Sequence, residues 1–216
     1  MHTFTRALLA ASLALLPGVG LLAQSAPGRA AAITPKLDVE KARVYVATLQ
    51  PRVPSPSPNG HATNRLLLYM DDGTMTVRIG AAPAETIVFK RGDVRWRPAS
   101  GAYVAENTSD HAIRILEIDL KGPPSGPAPT TRLDPTIVDP ARYAVVFENE
   151  SVRVLRVHFN PHEKGAQHEH ILNRVVFYLN DQGSMKTDDV RMAGAAVHSE
   201  QNDGDTPADR IAVELK

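Results

Sequence analysis

The sequence predicts an all-β protein built from two tandem small antiparallel barrels, the second of them shortened. Three observations carry this prediction. Short alternating or apolar runs rich in β-branched and aromatic residues recur along the chain, separated by tight turn signals. A Pro/Gly-rich stretch at 122–129 divides the chain beyond the amino-terminal apolar run into two parts of similar length. Three collinear blocks of the first part then reappear in the second, the mark of a duplicated unit.

Taken in order, residues 1–25 read as an export signal. Arg6 precedes an apolar run interrupted by Pro17-Gly18, and Ala23-Gln24-Ser25 offers a small-x-small cleavage pattern. The run approaches the roughly 20 residues of a membrane span, but its Pro-Gly break and the lack of a basic stop-transfer cluster favour cleavage. Residues 26–36 read as a small-residue tether and 37–121 as the first barrel. Its strands are expected at 43–49, 66–70, 74–79, 86–90 and 113–120, with turns such as Asp71-Asp72-Gly73 and Lys90-Arg91-Gly92-Asp93 between them. Residues 122–140 read as a linker, in which Asp134 and Asp139 are poor candidates for an acid/base pair. Residues 141–216 form the second barrel, beginning with a strand at 152–159. No segment past the signal carries a helical stripe.

The repeat sets the registration of the two copies. Residues 37–46 align with 147–156 and Pro51 with Pro161; 61–70 align with 170–179, and 106–121 with 201–216. Between the last two blocks the first copy has room for a full hairpin, 77–92, which the second omits by passing from Thr187 to Asp189 almost at once. The shortened barrel's mouth is thus open, covered by the first copy, or closed by a second molecule in a homodimer. The intact first barrel is expected to be the scaffold, with a dry packed interior.

Composition excludes several functions. Across 216 residues, 24 Lys plus Arg balance 24 Asp plus Glu, so no long-range field gathers nucleic acid or an anionic membrane. There is no cysteine, hence no disulfide, thiolate metal site or Cys nucleophile, and any metal is held by nitrogen and oxygen. Gly92 and Gly101 stand singly, which excludes a phosphate-cradling glycine loop, and no GxSxG elbow occurs.

The stretch Val152-Arg153-Val154-Leu155-Arg156-Val157-His158-Phe159-Asn160-Pro161, followed by Gln167-His168-Glu169-His170 and Arg174-Val175-Val176-Phe177-Tyr178-Leu179, resembles the cupin superfamily, in particular small bacterial cupin-domain proteins. His198 precedes Asn202 by four positions, as in the second motif of that family. Gly92-Asp93-Val94-Arg95-Trp96-Arg97-Pro98 followed by Glu106-Asn107 resembles the same motif in the first copy. The likeness covers nearly the whole chain past the signal. It implies a jelly-roll, or double-stranded β-helix, in each copy and says little about activity.

The family's first motif continues from His-x-His to a Glu three or four residues on. That slot falls here on Arg174 or Val175, so the usual carboxylate ligand is missing. In the first copy Asn59 stands where His168 does and Tyr103 where His198 does, leaving only His61. The resemblance therefore implies a metal-free first barrel and one divalent metal in the second.

His168 and His170, two residues apart on a strand, share a face, and His198 on a neighbouring strand completes a set of three imidazoles. Three nitrogen ligands leave positions open for water or substrate. They do not choose among iron, manganese, zinc, nickel and copper. The competing reading places these histidines in a wet polar loop after Pro161. Arg174 and Tyr178 share the parity of the histidines and are the candidate substrate-binding residues. A structural turn-and-cap role for the Asn-Arg pair is equally compatible, because it recurs in the first copy. Glu163 and Gln167 are the candidate fourth ligands. His158 and His162 are expected on the surface, His111 in a turn, and His61 as a remnant without partners.

The functional expectation is an exported (periplasmic or secreted) bicupin holding one divalent metal. It would act on a small organic acid or sugar as an oxygenase or isomerase, with neither nucleic acid nor, after signal cleavage, membrane as partner. The alternative is a non-catalytic binding or structural module.

Overall fold

The computed structural model describes residues 31–123 and 130–216. The export signal read at 1–25, the start of the tether and linker residues 124–129 lie outside the described residues. The first copy contains β1 (Ala31–Asp38), β2 (Ala42–Leu49), β3 (Pro54–Ser57), β4 (Arg65–Tyr69), β5 (Gly73–Ile79), β6 (Glu85–Phe89), β7 (Val94–Arg97), β8 (Tyr103–Asn107) and β9 (Ile113–Leu120). A short helix, α1 (Pro135–Val138), precedes the second copy. That copy contains β10 (Tyr143–Glu148), β11 (Val152–Phe159), β12 (His168–His170), β13 (Arg174–Tyr178), β14 (Val190–Ala193), β15 (Ala196–His198) and β16 (Ala208–Leu215).

The duplication is visible in the pairing. The first copy has a five-stranded sheet in the order β1-β2-β9-β4-β7, and the second repeats it as β10-β11-β16-β13-β14. Even the irregularities recur: the β1–β2 register shifts between Pro35 and Leu37, and β10–β11 shifts between Val145 and Phe147. Opposite each large sheet lies a smaller one. In the first copy it has four strands, β3-β8-β5-β6, whereas in the second only β12-β15 remain. The expected loss of a hairpin is therefore the loss of β5 and β6, starting slightly earlier than the sequence suggested. A tight turn with a bridge between Gln182 and Met185 replaces it.

Two expectations are corrected. Residues 31–36 are not tether: they belong to β1, which pairs with β2 along its length. The linker ends in α1, which Asp134 caps by accepting the Thr136 N–H at 2.9 Å.

Strands β4 (Arg-Leu-Leu-Leu-Tyr) and β13 (Arg-Val-Val-Phe-Tyr) are buried throughout, as expected for strands covered on both faces. Leu66 and Leu68 of β4, with Val175 and Phe177 of β13, point into one cluster that also takes Val44, Leu116, Ile118, Val154, Ile211 and Val213. The two large sheets thus pack back to back, and each copy's barrel opens on the far side. The other parity enters the copy's own interior: Leu67 and Tyr69 in the first, Val176 and Tyr178 in the second. The expectation that the interior of the first barrel supplies most of the packing is corrected. The largest cluster of buried residues lies between the copies, and the first barrel encloses a cavity of about 260 Å³.

Asp134 does more than cap. Arg153 forks onto its carboxylate at 2.5 and 3.0 Å. Burial alone would raise the Asp134 pKa, but Arg153 and the Thr136 hydroxyl and N–H outweigh it and hold it down to about 2. A carboxyl depressed in the folded state contributes stability that is present above its unfolded pKa near 4 and lost as pH falls through the folded value. Asp134→Asn, which keeps the cap, should therefore cost about 1–2 kcal/mol at pH 7. In urea titrations the deficit should shrink steadily between about pH 4 and pH 2; an equal deficit at both ends would remove the charge pair as its cause.

Candidate metal centre

Strands β12 and β15 pair antiparallel with His168 directly opposite His198 and His170 opposite Ala196. His168 and His170 share the inward face, as their spacing requires, and both are buried. The ring centroids of His168 lie 5.0 Å from His170 and 4.6 Å from His198. One nitrogen from each of the three lies within 4.8 Å of the others. The wet-loop alternative is thereby excluded.

Hydrogen bonds set the tautomers. His168 Nδ1–H donates to the Ala166 carbonyl at 2.9 Å, and His170 Nδ1–H donates to Glu214 Oε1 at 2.8 Å. Each bond leaves Nε2 as the free lone pair. Glu214 is itself fixed: it is 3% exposed, and Arg153 Nη1 lies 3.6 Å from its other oxygen. The buried Nε2 atoms of His168 and His198 have no hydrogen-bond partner. An unsatisfied buried polar atom is costly, and two aimed into one cluster fit a metal ion that would accept both lone pairs. Burial holds the pKa of His168 below the usual imidazole value and that of His198 down to about 4, where His168, His170 and Arg174 add to the effect and Glu200 opposes it. Neutral imidazole is the metal-binding form.

The surroundings hold a residue that the sequence reading missed. Glu200 takes the Tyr143 hydroxyl at 2.6 Å and pairs with Arg210. The burial of Glu200 would raise its pKa, but Arg210, the Tyr143 hydrogen bond and the nearby His198 and His168 lower it overall. Tyr143 in turn lies 4.7 Å from the His168 ring. Glu200 follows His198 by two positions and so has its parity, a signal that was available. The proposed fourth ligands are corrected: Glu163 is tied to Arg142 at 2.8 Å and to the Asn160 N–H at 2.7 Å, and Gln167 is exposed. Neither joins the cluster.

Arg174 is 6% exposed and faces the second barrel's interior beside Glu214, its cross-strand partner. Its Nη1 donates to the Gly194 carbonyl at 2.7 Å. Asn173 accepts the Ala195 N–H at 3.2 Å, as Asn64 accepts that of Ala99 at 2.9 Å in the first copy, so the recurring Asn is a strap between strands in both. Tyr178 is further off, under the Arg191 guanidinium at 5.6 Å. It lines a cleft of about 500 Å³ together with Phe159, Met185, Glu200 and Arg210. Every lining residue belongs to the second copy, so the first does not cover this cleft.

His158 pairs with Asp209, His162 with Asp205 and His111 with Asp110, all on the surface as expected. His61 is not without partners. It lies 3.4 Å from Asp119 and 3.9 Å from Glu117, and His61–Asp119 occupies the position of His170–Glu214 in the repeat. The first-copy counterpart of His168 is Ser57, which pairs with Tyr103 as His168 pairs with His198, rather than Asn59. Asn59 belongs to a turn closed by Gly60 at φ +69°, where a Cβ would meet the Ser100 carbonyl oxygen at 2.1 Å.

No family model matches this sequence, and no curated protein does. Solved structures do. AerE from Microcystis aeruginosa superposes with a TM-score of 0.61 at 9% identity, over 85% of this chain and 98% of that one. A salicylate 1,2-dioxygenase from Pseudaminobacter salicylatoxidans gives 0.60 at 11% identity, over 91% and 79%. A cupin 2 conserved barrel domain protein from Leptotrichia buccalis gives 0.56 at 11% identity, over 89% and 92%. At such identities the likeness establishes the fold alone. With one barrel topology present in two copies, this chain has the cupin fold in tandem.

Proposed function

We propose that the second barrel binds one divalent metal through His168, His170 and His198 and uses it on a small organic acid, in a protein exported by the segment at 1–25. The observation that carries this reading is the convergence of two buried, unpartnered Nε2 atoms with a third imidazole. A bound ion would supply a Lewis acid with open coordination positions. The chain's own residues do the rest. Ala166 and Glu214 hold two rings in the metal-binding tautomer, in the way outer-shell partners orient metal-ligating histidines. Arg174, buried and within electrostatic reach of His168 and His198, offers a guanidinium to a substrate carboxylate. The turn that stands in place of β5 and β6 lines a cleft with Tyr178, Arg210 and Glu200. That a salicylate dioxygenase shares the fold is consistent with an acid substrate.

The test is the metal content of untagged protein. About one equivalent per chain, or saturable uptake of one equivalent of Mn²⁺, Fe²⁺, Zn²⁺, Ni²⁺ or Cu²⁺ by chelator-stripped protein, supports the reading; no uptake of any of them overturns it. For the substrate contact, salicylate titrated into the metal-loaded protein should bind about tenfold more weakly to Arg174→Ala, the worth of a lost charged hydrogen bond. Equal affinity would leave Arg174 as a strap alone.

A second reading is a non-catalytic binding module. It is favoured by the missing carboxylate in the ligand set and by the two-stranded remnant of the small sheet. Metal uptake without any effect of metal on salicylate binding would support it.

A further inference from the structure

We propose that the first barrel is a second, metal-independent binding site, for a small apolar carboxylate held by Arg65. The cavity of about 260 Å³ is lined by Leu49, Leu67, Met75, Val77 and Ile115, with Arg65 among its polar residues. It falls just under the roughly 300 Å³ at which ligand pockets begin, so its occupant is small. Ile33 and Ile79, 56% and 43% exposed, line it as well and give it an apolar rim.

Arg65 is the reason for a carboxylate. It is 6% exposed, and its Nε and Nη1 are buried without a hydrogen-bond partner. Glu117 lies 3.3 Å from Nε, outside hydrogen-bonding alignment, and the Tyr103 ring sits 5.3 Å from the guanidinium carbon. The same Glu117 oxygen also takes the Tyr45 hydroxyl at 3.1 Å, and that hydroxyl lies 3.2 Å from His61 Nε2 and 3.3 Å from Asp119. That phenol sits at the centre of the His61–Glu117–Asp119 cluster, with one proton to donate to it. Arg65 is left with spare N–H donors on a fixed positive charge, which a carboxylate oxygen can accept. Tyr69, whose hydroxyl is also buried and unpartnered, is among the residues that line the same cavity.

Part of this polar end is peculiar to the first copy: the repeat places Leu155 opposite Tyr45 and Ala212 opposite Glu117, whereas Arg65 and Tyr69 correspond to Arg174 and Tyr178.

The test is calorimetric titration of hexanoate and its neutral isostere hexanamide into chelator-stripped protein. Hexanoate should bind with one equivalent per chain and hexanamide about tenfold more weakly. Arg65→Met should weaken hexanoate by about tenfold or more. Ala47→Leu, which extends a side chain into the cavity and leaves Arg65 in place, should abolish binding while the thermal midpoint holds or rises. Arg174→Ala should leave hexanoate binding unchanged. No saturable heat, equal affinities for acid and amide, unchanged binding to Ala47→Leu, or a loss that follows Arg174 instead of Arg65 would each overturn the assignment.

Discussion

A His168→Ala/His170→Ala variant should lose essentially all bound divalent metal, with affinity falling by at least a hundredfold, while its fold persists. The two substitutions remove two of three converging nitrogens, and His198 alone holds a metal only weakly. Persistence is expected because both rings lie on the three-residue strand β12, apart from the shared apolar cluster. They also remove a cost, since the His168 Nε2 is a buried acceptor without a partner. Glu214→Gln is the graded counterpart. It keeps the shape next to His170 but weakens the carboxylate bond to Nδ1, and loss of such an outer partner typically costs 10- to 100-fold in metal affinity. Metal analysis after dialysis, with circular dichroism as the folding control, decides both. Full metal retention in the double variant would place the ion elsewhere.

Phe177→Ala should destabilise the whole chain by about 3–5 kcal/mol, the range for a fully buried aromatic truncated to a cavity. Phe177 is 1% exposed and belongs to β13 of the second copy, yet its neighbours in the cluster include Leu66, Leu68 and Leu116 of the first. Arg91 of the first copy lies 5.5 Å from its ring. The two copies therefore share one core. Asp188 ties them at the edge as well, accepting from Arg91 at 2.7 Å and from Arg114 at 2.6 Å. The physical consequence is one cooperative transition, shifted down by about 10 °C in the variant. Two separable transitions, with only the second copy's moved, would show that the barrels are energetically independent.

Much of this molecule was legible without coordinates. The tandem duplication, the strands around Val44, Leu67, Ile115 and Val154, the missing hairpin and the common face of His168 and His170 all come from period-two patterning and from aligning the chain with itself. Both signals are local or internal to the sequence. Long apolar runs such as 66–70 showed that a strand was buried. They did not show that its two faces enter different cores, because periodicity vanishes when both sides are covered.

The tertiary structure alone decided what meets what. Glu214 and Ala166 fix the histidine tautomers from 44 and 2 residues away. Asp134, dismissed as linker, restrains Arg153 and through it Glu214. His61 gained the partners that its sequence neighbourhood lacks. The interior of the first barrel was expected to be filled, and the cavity beneath Arg65 appears only when β3, β4, β5, β8 and β9 are brought together. Sequence pattern reports which side of a strand is apolar. The hydrogen bonds, unpaired atoms and voids that give a site its chemistry depend on side chains from strands far apart in the chain, and only closure of the barrels sets them.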